Sequence, residues 1–64
     1  MLPIEVEEAI SDKIDVLLEL CVIKPDNVDA VRSDIRYKIL AEPNRDPYVI
    51  MDQIAHTYIN EAWN

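Results

Sequence analysis

Not one of the 64 residues is glycine, while four are proline. Glycine is the usual residue where a backbone turns left-handed, closes a two-residue hairpin or approaches a ligand closely. A chain without it is expected to run as helices joined by short corners, with proline marking where a helix starts or stops. The same absence excludes a glycine-rich phosphate-cradling loop.

The apolar spacing fits that expectation in three segments. A first helix is predicted over residues 3–21, with Pro3 in a first turn where its missing N–H has no intrahelical partner. Glu5, Glu7 and Glu8 then sit near the positive end of the helix dipole. Val6, Ile10, Ile14, Leu17 and Cys21 recur on one face, with Leu18 flanking them. Lys24-Pro25-Asp26-Asn27 reads as a corner, in which Asp26 or Asn27 caps a second helix over 27–41. Val28, Val31, Ile35 and Ile39 form its core stripe. The second corner closes on Asp46-Pro47, a carboxylate cap followed by proline at the first helical position. The third helix, 47–63, lines one face with Ile50, Met51, Ile54, Tyr58 and Ala62, leaving Asp52, His56 and Asn60 opposite.

Residues 1–64 are therefore expected to form one all-α domain, a small three-helix antiparallel bundle. The rival is a short strand, since Leu2, Ile4 and Val6 alternate and Leu17 to Ile23 is rich in branched residues. The helix is preferred because the acids of this segment also follow a helical repeat. A chain this short buries only about 60% of its unfolded surface, so its margin depends on packing or on a partner. Cys21 is the only cysteine, which excludes an internal disulfide. Cys21 and His56 are also too few for a closed zinc site. No metal or other cofactor is expected.

Net charge is −7, distributed unevenly. Residues 1–23 carry six acids and one base, residues 24–45 four acids and five bases, and residues 46–64 three acids and no base. Glu5, Glu8, Asp12, Asp15 and Glu19 are spaced 3, 4, 3 and 4 apart, a continuous stripe on a helix. Like charges so placed repel, so the stripe weakens its own helix. A solvated face accounts for it, as does internal pairing with Arg32 and Arg36, one turn apart on the second helix. The functional alternative is a docking surface for a basic protein. Were that partner a nucleic-acid-binding protein, the stripe would stand in for phosphates. Its spacing of one charge per about 5 Å is sparser than the roughly 3.4 Å of one DNA strand.

Other chemistry is weakly supported. Six bases against thirteen acids oppose direct nucleic-acid binding, leaving Arg32, Arg36 and Lys38 as the one local patch. Cys21 and His56 formally offer a nucleophile and base, but they fall on the core face and the polar face of different helices. Asp26, Asn27 and Asp29 lack the ligand number and glycine of a calcium loop. The apolar run from Val16 to Ile23 is too short to span a bilayer, and the acidic N-terminus is unlike a signal peptide. A cytoplasmic protein follows as the expectation.

The sequence thus points to a non-catalytic, acidic protein-binding module, an inhibitor or regulator that engages a basic surface through Glu5, Glu8, Asp12, Asp15 and Glu19. The alternative is a self-associating structural or assembly protein. Ala9, Val16, Leu20 and Ile23 broaden the apolar arc of the first helix, and Trp63 lies near the chain end. Val16, Leu20 and Trp63 would then form an apolar interface, most simply in a homodimer.

Overall fold

The computed structural model describes residues 2–63. Helix α1 spans Ile4–Glu19, α2 spans Val28–Ala41 and α3 spans Pro47–Trp63. A single 3-10 turn, Pro25–Asn27, leads into α2. Each helix packs against the other two. No strand occurs among the described residues, so the rival reading of residues 17–23 falls away. The bundle runs up, down and up. Residues early in α1 face residues late in α2, as in the Glu7–Arg36 and Ser11–Arg32 pairs.

Three stripes meet in the core. Val6, Ile10, Ile14 and Leu17 come from α1, Val31, Ile35 and Ile39 from α2, and Ile50, Met51, Ile54 and Ala55 from α3. Ile23, beyond the end of α1, folds back among them. Val28 and Tyr58 are half-buried at the margin, while Ala62 is exposed, beyond Tyr58 and Ile59, the last residues of α3 that pack against the core.

The ends of the helices show how a glycine-free chain turns. Asp46 accepts a hydrogen bond from the Tyr48 N–H at 2.9 Å, the expected cap, with Pro47 as the first residue of α3. The cap expected from Asp26 or Asn27 does not form. Asn27 sits at φ −94°, ψ −4°, already helical because the 3-10 turn runs straight into α2. A side-chain cap needs an extended backbone at that position.

Helix α1 ends two residues earlier than the spacing predicts, and the reason is Cys21. Its φ is 58°, the left-handed region. The Cys21 N–H donates to the Leu18 carbonyl at 3.0 Å, and the Val22 N–H donates to the Leu17 carbonyl at 2.9 Å. This is the paired closure that usually places glycine just past a helix end. Cys21 is consequently exposed, not on the core face of α1. The reversal sends Ile23 inward instead, taking the apolar place the spacing had assigned to the thiol.

Candidate functional site

Glu5, Glu8, Asp12, Asp15 and Glu19 are all exposed along the outer face of α1. Their arc lies opposite Val6, Ile10, Ile14 and Leu17, which turn into the core. Among the described residues none of the five carboxylates takes part in a side-chain hydrogen bond or ion pair, whereas those of Glu7, Glu42 and Asp52 do.

Internal pairing of the stripe with Arg32 and Arg36 is not what the fold contains. Arg36 holds Glu7 with two hydrogen bonds, its Nε donating to Oε1 at 2.8 Å and its Nη2 to Oε2. Arg32 donates to the Ser11 hydroxyl at 2.8 Å. Glu7 is two residues from Glu5, hence about 200° around the helix, and that rotation places it on the α2 flank. On the opposite flank, Lys13 pairs with Asp52 of α3 at 2.7 Å. Both arginines and the one lysine of α1 are therefore engaged on the seams, and the stripe keeps its charge outward.

The seam pairs carry a pH signature. The hydrogen bond from Arg36, aided by its positive charge, holds the Glu7 carboxyl below its ordinary range against the opposing effect of desolvation. Lys13 does the same for Asp52. A carboxyl whose folded pKa is depressed contributes stability above its unfolded value, and that contribution is lost as pH falls through the folded value. Stability should therefore decline on acidification below about pH 4, the ordinary carboxylate range. In urea unfolding followed by circular dichroism, the double variant Glu7→Gln/Asp52→Asn should lose less stability between about pH 6 and about pH 3 than the parent. An unchanged acid slope would count against these pairs as its source.

Beside the stripe, on the α3 flank of α1, lies a shallow groove of about 290 Å³. Ala9 and Val16 of α1 and Tyr48 and Met51 of α3 line it, with Asp12 at its edge and the Lys13–Asp52 pair within it. Val16 is 48% exposed, and Leu20, one turn further along α1, is 43% exposed. Of the broad apolar arc, Ile23 is buried and Ala9 half-buried, so Val16 and Leu20 are what the bundle leaves uncovered. Trp63, 66% exposed at the end of α3, is not among the residues lining this groove. Val16 and Leu20, one turn apart, are neighbours on α1.

Tyr48 is the lining residue that the sequence did not single out. It stands in the first turn of α3, outside that helix's core stripe, and only the docking of α3 on α1 brings it into the groove that Ala9 and Val16 also line. Elsewhere, Tyr58 is half-buried between α2 and α3. Burial and the carboxylates of Asp34 and Glu61 raise its phenol above the ordinary value. Among the described residues no three His, Cys, Asp or Glu side chains converge to hold a metal ion. No described helix is long and apolar enough to cross a membrane. Compared with protein-family models, curated proteins and solved structures, the chain matches none.

Proposed function

We propose that the chain is a non-catalytic protein-binding module, a small inhibitor or regulator that docks the outer face of α1 on a basic surface. One observation carries this reading. Glu5, Glu8, Asp12, Asp15 and Glu19 remain exposed and unpaired while the arginines of α2 are engaged by Glu7 and Ser11 on the seam. Like charges three and four apart on a helix destabilise it by about 0.2–0.5 kcal/mol per pair. A basic partner would relieve that repulsion, so the stripe suits a bound state better than a free one. The sharper form of the reading is a partner whose basic surface otherwise binds nucleic acid.

The test is capture of partners from nuclease-treated lysate at low and high salt, followed by titration of the recovered protein. A basic partner should bind in a salt-sensitive manner. Neutralising all five acids to Gln or Asn should weaken it by about tenfold or more, while raising the thermal midpoint of the free chain. Full affinity in the neutralised variant would remove the stripe from the function. If the partner binds nucleic acid, a duplex should compete with the chain for it.

A second reading rests on the exposure of Val16, Leu20 and Trp63. In that case the chain's principal partner is another copy of itself, and association is insensitive to salt. Sedimentation across a range of concentrations separates the two.

A further inference from the structure

Charge alone gives little geometric definition to a docking face, but the groove between α1 and α3 adds it. We propose that this groove receives one amphipathic, basic helix of the partner, with its apolar ridge on Val16, Leu20 and Tyr48 and its Lys or Arg residues over the acid stripe. This deepens the docking reading above and rests on it.

Three observations favour that occupant. The apolar strip and the acid stripe lie side by side: Asp12 lines the groove with Val16 and Tyr48, and Asp12 and Glu19, four residues before and three after Val16, are its neighbours on the helix surface. The strip on α1 runs from Ala9 to Leu20, about 16 Å at 1.5 Å per residue, which matches three turns of a second helix. Helices read such a groove through anchors at i, i+3 or i+4, and i+7. Finally, the groove is shallow and exposed, whereas a small ligand needs an enclosing pocket for most of its surface.

The charge pattern also argues against a second copy of this chain. A symmetric dimer uses the same patch on both subunits. Joined through this flank, two copies would bring two five-acid stripes together, each on a chain of net charge −7. Such like-charge juxtaposition is unfavourable, whereas a cationic helix is attracted to the same place.

The test uses the whole chain and two synthetic peptides of identical composition, rich in Leu and Lys. One places Leu at i, i+3, i+4 and i+7 along a helix; the other scrambles the order and has no apolar ridge. Binding is measured by calorimetry, and the site by amide chemical shifts. The patterned peptide should bind about tenfold or more tightly than the scrambled one and shift the Val16, Leu20 and Tyr48 amides. The variant Val16→Ser/Tyr48→Ser, changed only at exposed positions, should keep its fold and lose that preference while retaining salt-sensitive binding.

Equal binding of both peptides, abolished by neutralising the five acids, would overturn the groove and leave the stripe standing. Absence of binding by either peptide would overturn both. Shifts of Val16 and Leu20 on dilution without peptide would assign the groove to a second copy and overturn the proposal.

Discussion

Ile35→Ala is expected to remove about 2–5 kcal/mol of stability, the range for emptying a fully buried branched side chain. At roughly 0.05–0.15 kcal/mol per residue, a chain of this size has only about 3–10 kcal/mol in total. A single truncation therefore takes a large share of the margin and leaves a population unfolded. Ile35 is fully buried at the middle of α2, a helix that contacts both of the others, so the cavity opens where all three stripes meet. There is little to collapse into it, since Ile10, Ile14 and Leu17 are themselves fully enclosed. Urea unfolding should show a large drop in midpoint at nearly unchanged slope. The same chemistry at Leu40, exposed on α2, provides the control and should change stability by no more than about 0.5 kcal/mol. Equal losses at the two positions would contradict this core.

The second large effect concerns the only described residue with a positive φ. An L-residue with a side chain loses roughly 1–2 kcal/mol in the left-handed region, and glycine escapes that term. Glycine also gives up more backbone freedom on folding, by roughly 0.5–1 kcal/mol. Cys21→Gly should therefore stabilise the chain by about 0.5–1 kcal/mol, raising the thermal midpoint by roughly 2–8 °C for a domain of this length. Cys21→Val, branched at Cβ and less tolerant of this backbone, should move the midpoint the other way, with the two variants separated by about 2 kcal/mol. Thermal melts of the three chains check both signs. If glycine were neutral or destabilising at this position, the closure after α1 would differ from the one described. The exposed thiol should also react with iodoacetamide in the folded state, which follows from its place in the turn and carries no implication of catalysis.

Both predictions bear on how far the residues disclose the fold and the candidate site. The stripes Val6-Ile10-Ile14-Leu17, Val31-Ile35-Ile39 and Ile50-Met51-Ile54 were legible because burial on one face repeats with the helical period, a local property of the chain. The Asp46-Pro47 start of α3 was legible for the same reason, since a cap and a first-turn proline act within one turn. Cys21 was misplaced because periodicity has no means of announcing that a helix has stopped when the closing residue is not glycine. The missing cap at Asn27 has a similar origin, a 3-10 turn whose backbone geometry pre-empted the side chain.

The sequence by itself therefore determined the three helices, most of the residues they bury and the continuous run of five acids along α1, because each follows from spacing along one helix. It did not determine what those acids face. Whether Arg32 and Arg36 reached the stripe, or stopped at Ser11 and Glu7, depended on how α2 is rotated against α1. The pairing of Lys13 with Asp52, and the groove that Tyr48 and Val16 both line, depended likewise on where α3 docks. Such contacts join residues more than twenty positions apart, and their distances are set by helix rotation and offset, which appear only once the core has packed.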